Sequence, residues 1–298
     1  PHLCFNQDVT RIHEVNARLD AAEAASGQPI RMAIGSPPCQ QFSGMTAGLP
    51  NTLEVAGVTP VLARHWVDRR SIHYILLENV TRMTDIVRKG PRAGLPLFPE
   101  WAVTKAILEE SYVLAIMCLE SSRMPPMPGC RRSPQGRSRC YTFGIRRHLI
   151  YAQSLCAALR AAALLLVDLP PYTLEEEFPE LAGHAYLATG RSMRIRTDAN
   201  QHHGTLTCNC NVVPKNLDPW RLAARDLGLT WDDVRVFDMD HYLRIQGVRP
   251  DYPVPDNRHS AGTVIGNGVS PCCPFWIITF LDDATFHRGE KHVCCSPS

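Results

Sequence analysis

The chain has 298 residues, 45% of them hydrophobic, and a net charge of +2. It is apolar enough to bury a core and long enough for a large domain plus a smaller one, which excludes a disordered chain. The near-neutral charge excludes a protein that holds nucleic acid by bulk charge alone, and the longest apolar runs, residues 161–167 and 275–281, are too short to span a bilayer.

In chain order, residues 12–25 alternate charged and apolar positions at helical period and stop at Gly27, which predicts a helix. Asp8 lies just before it, where a carboxylate can cap the helix start or face a ligand. The apolar run 30–34 reads as a short buried strand. It meets Gly35-Ser36-Pro37-Pro38-Cys39-Gln40-Gln41-Phe42-Ser43. Two prolines cannot continue a sheet ladder, so the chain leaves the strand there and carries Cys39 on a stiff turn. Gly44 and Gly48 follow. A thiol so mounted either packs as an ordinary buried cysteine or serves as a nucleophile beneath a closing loop.

A helix is predicted over 62–70, then an apolar strand over 73–77 that ends in Glu78-Asn79-Val80. A carboxylate immediately past a buried strand stands at the edge where open α/β sheets bind ligands, or it caps the next helix. A helix over 101–110, a strand over 112–119, a Pro-, Gly- and Arg-rich loop over 124–132 and a strand over 140–145 continue the alternation. Strands alternating with helices to about residue 148 indicate a doubly wound α/β domain. Beyond a helix over 153–166 the rhythm breaks at Pro170-Pro171 and Glu175-Glu176-Glu177, and 185–215 mixes short β-like runs with basic residues. From about residue 258 the chain is apolar again, and 273–281 is expected to pack back on the first domain.

Charge is unevenly distributed. Residues 121–167 contain no Asp or Glu but hold Arg123, Arg131, Arg132, Arg137, Arg139, Arg146, Arg147 and Arg160. Such a block is a solvated face or a phosphate-contacting one. The chain has twelve cysteines at irregular spacing, unlike the disulfide framework of a small secreted protein. Cys208-Asn209-Cys210, Cys272-Cys273 and Cys294-Cys295, with His287 and His292 near the last, lack the separated pairs of zinc sites, so free thiols and no metal are expected. Pro1-His2-Leu3-Cys4 has neither the charged region nor the apolar stretch of a secretory signal.

Five fragments occur in one order with Cys39: Asp8-Val9-Thr10 before it, then Glu78-Asn79-Val80, Pro134-Gln135-Gly136-Arg137-Ser138-Arg139, Arg244-Ile245-Gln246-Gly247 and Gly266-Asn267-Gly268-Val269. Together they resemble the DNA cytosine-5 methyltransferases over residues 6–271. The resemblance implies an α/β, doubly wound, Rossmann-like S-adenosylmethionine-dependent methyltransferase domain with a smaller, mainly β target-recognition domain. Residues 1–149 would be catalytic, 150–235 would read the target, and 236–298 would return to the catalytic domain.

It also implies roles. Cys39 matches the nucleophile, Glu78 the group that hydrogen-bonds and protonates the ring, and Arg139 the contact to O2. Arg137 would organise the cysteine and glutamate. The alternation of Arg137 and Arg139 on one strand would aim both into one pocket. Asp8 matches the contact to the adenine of S-adenosylmethionine, with Val9, Pro38, Asn267, Gly268 and Val269 around the cofactor. Pro37, Gln40, Ser43, Asn79 and Gln135 would face the substrate.

The implied partner is double-stranded DNA, with no membrane, in the cytoplasm of a prokaryotic or virus-infected cell or in a nucleus. The chemistry explains the residue types. Cytosine C5 attacks a sulfonium methyl group only after a thiolate has added to C6, which needs a thiolate, a proton donor at N3 and a cation near O2. The base must also leave the duplex to be reached.

The family's Phe-x-Gly-x-Gly turn is not found upstream of Asp8, nor at Phe286-His287-Arg288-Gly289. The expectation is that a missing N-terminal segment or a complementary chain supplies it. A catalytically impaired DNA-binding relative or subunit and an RNA cytosine-5 methyltransferase are the alternatives.

Overall fold

The structure is a computed structural model that describes residues 11–37, 58–89, 91, 93–188, 194–206, 218–249 and 251–286. By their internal contacts the residues group into two units interleaved along the chain. The first comprises Pro1–Cys118 and Arg139–Ala163, the second Leu119–Ser138 and Leu164–Ser298. The helix that follows residue 149 belongs mostly to the first unit, and the C-terminal segment belongs to the second.

The first unit holds helix α1 (Ile12–Ser26), strand β1 (Met32–Gly35), helix α2 (Val58–Asp68), strand β2 (Tyr74–Val80), helix α3 (Pro99–Glu109) and most of strand β3 (Tyr112–Glu120). Helix α1 ends where predicted, with Gly27 left-handed at φ 66°. Two-residue strand β4 (Gln135–Gly136) belongs to the second unit. It precedes strand β5 (Ser138–Arg146) and helix α4 (Ala152–Leu165).

The sheet order is β1-β2-β5-β3. Strands β1 and β2 run parallel, with Gly35 opposite Leu77, whereas β2 and β5 are antiparallel, with Glu78 opposite Tyr141 and Val80 opposite Arg139. Every residue from Ile75 to Asn79 and from Cys140 to Arg146 is buried. Both faces of the two central strands are therefore covered, as in doubly wound sheets. Trp66, Ile75, Leu77, Trp101, Leu108 and Tyr112 form the core between this sheet and helices α2 and α3.

The end of α2 is closed by a buried cation. Arg146 donates to the carbonyls of Trp66 (3.1 Å), Val67 (2.9 Å), Arg69 (2.8 Å) and Ile72 (2.9 Å). It thereby satisfies carbonyls left over at a helix C-terminus, where the helix dipole also favours a cation. Tyr112 lies under its guanidinium, 4.7 Å from the ring centroid.

The second unit adds strands β6 (Ala185–Ala188), β7 (Arg194–Arg196) and β8 (His203–Gly204), helix α5 (Asp218–Asp226), strand β9 (Val234–Arg235) and helices α6 (Met239–Gln246), α7 (Arg258–Asn267) and α8 (Cys272–Phe286). Its sheets are small: β7-β6-β9 and the pair β4-β8. Phe178, Tyr186, Phe237, Tyr242 and Ile265 form its main core. No single helix among the described residues is long and apolar enough to cross a membrane. The bent pair at Ser260–Asn267 and Cys272–Asp283 passes on length and composition, but its Ala261, Ile265, Cys272, Cys273, Ile277 and Leu281 are buried.

Candidate functional site

The parallel register of β1 and β2 decides which residues meet. With Gly35 beside Leu77, the chain past β1, Ser36-Pro37, runs beside Glu78-Asn79, which are still within β2. Gly35 itself lies against α2, where an added Cβ would come within 3.0 Å of Leu62 and Trp66. Glycine lets the strand exit pass this close to the helix without displacing Leu62 and Trp66. Asn79 donates from Nδ2 to the carbonyl of Pro37 (3.3 Å), and its Oδ1 accepts from the backbone of Val80 (2.8 Å). Ser36 donates from Oγ to Oε2 of Glu78. The segment that leads into Pro38-Cys39 is thus tied to the end of β2.

Glu78 is buried, and its Oε1 lies 3.2 Å from Nε of Arg139, with the two side chains 8% and 15% exposed. The pairing is a diagonal one: Arg139 stands opposite Val80, two residues along from Glu78 on the same face. The sequence places Glu78 just past its strand. In the structure it is inside, because antiparallel pairing with β5 carries β2 on to Val80. It does not cap the helical turn that follows, whose start at Val80 has no side-chain cap.

Gln135 and Arg137 belong to a second constellation. The chain breaks between β4 and β5 at Arg137, so Arg137 and Arg139 do not share a strand as their alternation suggests. Arg137 is 3% exposed and donates to the carbonyls of Leu206 (3.1 Å) and Gly266 (2.9 Å). Gln135, fully buried, donates to Oε1 of Gln246 (2.7 Å) and accepts from the backbone of Leu206 (3.0 Å). Gln246 in turn donates to the carbonyl of Gly268 (2.8 Å). This amide relay joins four segments distant in sequence, and it immobilises Gly266-Asn267-Gly268.

Gln246 was not singled out in the sequence. The available signal was a glutamine in the apolar run Leu243-Arg244-Ile245-Gln246, where a buried amide must find partners. Next to the relay lies a cavity of about 340 Å³ lined by Leu243, Val264, Ile265, Gly268, Val269 and Phe275, with Tyr252, Arg131 and Arg249 among its polar walls.

The arginine block is used largely inside the protein. Arg137 and Arg146 hold carbonyls, Arg123 donates to the carbonyl of Val167 (2.7 Å), and Arg131 pairs with Glu177 (2.9 Å). Arg147 and Arg160 are exposed. Among the described residues no three His, Cys, Asp or Glu side chains converge as a metal site would. Asp8, Val9, Pro38, Cys39, Gln40 and Ser43 lie outside the described residues, as do Cys208, Cys210, Cys294 and Cys295.

Two solved structures are similar to the chain over most of their length. One, described as a DNA modification methyltransferase encoded within an E. coli prophage, gives a TM-score of 0.55 at 15% identity, covering 93% of this chain and 84% of that chain. The other, a triple mutant of Spodoptera frugiperda DNMT2, gives a TM-score of 0.52 at 14% identity and covers 93% of this chain and 85% of that chain. The chain has a methyltransferase fold. No protein-family model and no curated protein sequence matches it. Within this methyltransferase fold, the Glu78–Arg139 pair stands at the parallel end of β1 and β2, on the carboxyl edge where α/β sheets bind ligands.

Proposed function

We propose that the protein methylates C5 of cytosine in double-stranded DNA through a covalent Cys39 adduct on a flipped base. One observation carries this reading. Glu78 is held between the Ser36 hydroxyl and the Arg139 guanidinium at the strand exit that leads into Pro38-Cys39. A thiolate from Cys39 adds to C6 of the base, while Glu78 supplies a proton at N3 and Arg139 faces O2. After C5 has taken the methyl group, loss of its proton and of the Cys39 thiolate restores the ring. Asn79 keeps the Pro37 carbonyl in place, two residues before Cys39. Arg137, Gln135 and Gln246 are positioning residues: they hold Gly266 to Gly268 rather than the base.

S-adenosylmethionine, when bound, supplies the methyl group as a sulfonium electrophile. The apolar cavity beside Gly268 and Val269 suits its adenine ring, and about 340 Å³ is within the size of small-molecule sites. Among the described residues no carboxylate lines that cavity. The resemblance assigns the adenine contact to Asp8 and further cofactor contacts to Val9, Pro38, Asn267, Gly268 and Val269. Residues 150–235 are assigned to target reading and 236–298 to the return to the catalytic domain.

The test is covalent trapping on a duplex containing 5-fluorocytosine with S-adenosylmethionine, since fluorine at C5 blocks the final elimination. The expected result is an adduct that Cys39→Ser abolishes. Duplex binding without any adduct would favour a catalytically impaired DNA-binding relative, and trapping on RNA alone would make the substrate RNA.

A further inference from the structure

Strands β3 and β5 are neighbours in the sheet. Their alignment can be read from both ends. The backbone of Arg147 donates to Ser111 (2.9 Å) and that of Ser121 donates to Arg137 (3.2 Å). Stepping inward seven residues from the first bond, or three from the second, brings Cys118 opposite Cys140 each time. The two ends agree, so no bulge intervenes. In the middle, the side chain of Leu114 lies against Gly144, as the same alignment requires.

Both step counts are odd, which makes Cys118 and Cys140 a non-hydrogen-bonded pair. Such pairs bring the two Cα atoms to about 4.5 Å, with the side chains on one face. Disulfides accept Cα separations of about 4.4–6.8 Å. The two residues differ in access: Cys118 is exposed and Cys140 is buried. Both thiols are free.

We propose that Cys118 and Cys140 form a reactive dithiol site that small disulfides oxidise to a cross-strand disulfide. The exposed Cys118 thiolate attacks one sulfur of oxidised glutathione, forming a mixed disulfide and releasing one glutathione thiolate. The Cys140 thiol gives up its proton and attacks the Cys118 sulfur, expelling the second glutathione. The protein loses two electrons and two protons, and one oxidised glutathione becomes two reduced ones.

The neighbouring Cys140 thiol draws the Cys118 thiol down to about 7 against the opposing effects of burial and of Asp85. The same contact, then burial and the carboxylate of Glu78, push the Cys140 thiol up. Attack therefore begins at Cys118, the member that solvent reaches. Cys140 stands opposite Asn79 and next to Arg139, so the bond ties β3 to the strand that carries the partner of Glu78. The site stands on the strand geometry alone and does not depend on the methyl-transfer reading.

The test treats the folded full-length chain with oxidised glutathione, blocks the remaining thiols by alkylation, and maps tryptic peptides without reduction. Cleavage after Arg123 and after Arg139 separates the two cysteines. The expected product is a peptide pair joined through Cys118 and Cys140, lighter by two hydrogens and separated again by dithiothreitol. Cys118→Ser should abolish the linked pair. Cys140→Ser should leave one glutathione on Cys118 with no internal bond. A folded native chain that yields no such linked pair, or joins Cys118 to another cysteine instead, overturns the proposal.

Discussion

Glu78 and Glu177 are both buried carboxylates that meet arginine, yet their surroundings differ in kind. Glu177 accepts from Arg131 (2.9 Å) and Arg244 (2.8 Å) on one oxygen and from the Tyr172 hydroxyl (3.0 Å) on the other. Arg244 also stacks over Phe178 at 4.1 Å. These partners come from three separate stretches of the second unit, so the carboxylate acts as a joint between them. Among the described residues Glu78 meets one arginine and one serine, and that serine belongs to the segment that leads to Cys39. A carboxylate saturated by immobile partners holds a fold together. One shared with a short hydroxyl at a strand exit can exchange a partner for a ligand.

Breaking each in turn sharpens the contrast. Glu78→Gln should lower the methyl-transfer rate by about 10²–10⁴-fold and cost less stability than Glu177→Gln, because one arginine rather than two loses its counter-charge. A variant that loses as much stability as Glu177→Gln would make Glu78 a structural joint as well. Glu177→Gln should do the reverse and destabilise the fold by about 3 kcal/mol in urea denaturation, because two arginines lose their buried counter-charge. Their side chains are 33% and 29% exposed, which keeps the cost at the lower end of the range for buried pairs.

Gly247→Ala tests the same unit more gently. Its φ is 78°, and an added Cβ would meet Ser133 at 3.1 Å and the Arg131 and Arg132 carbonyls at 3.3 Å. A loss of about 1–2 kcal/mol is expected in the same assay.

The smallest effect should appear at high pH. Tyr112 in the first unit and Tyr172 in the second are each pushed up to about 12, chiefly by burial. A hydroxyl whose folded value is raised stabilises the fold fully below its unfolded value near 10, and that contribution is lost as pH rises through 12. Unfolding followed against pH should show stability falling across that window. Tyr112→Phe should make the fall shallower, whereas an unchanged slope would mean that Tyr112 does not titrate with unfolding.

The elements of the first unit were legible because each has its own period and its own punctuation. Gly27 ends α1, and the apolar runs before Pro37 and at Ile75 to Leu77 became β1 and β2. Their parallel pairing, and with it the meeting of Ser36 with Glu78, follows from alternating strands and helices. What the sequence did not reveal is non-local. Strand β2 runs to Val80 only because β5 pairs with it, and Arg137 leaves the strand because β4 pairs with β8 and the Arg137 amide turns back to the Gln135 carbonyl (2.7 Å). The acid-free arginine block reads as a phosphate-binding surface, but carbonyl acceptors such as those of Trp66 and Gly266 are invisible in sequence, and they take up several of its guanidinium groups.

The interleaving of the two units also bears on how the protein is made. A chain growing from its N-terminus contains all of the first unit once Ala163 has been added, but by then it already carries Leu119–Ser138, which belongs to the second. That segment includes Arg131, Gln135 and Arg137, whose partners Glu177, Gln246 and Gly266 have yet to be synthesised. Strands β1, β2, β3 and β5 are therefore all synthesised while polar groups in the stretch between β3 and β5 still wait for partners that begin at Glu177. Ribosome-held chains extended past Ala163 far enough to free β5 from the exit tunnel should resist protease in β1, β2, β5 and helices α2 and α3 while the stretch between β3 and β5 is cut, and the delay makes it the stretch on which a chaperone would act.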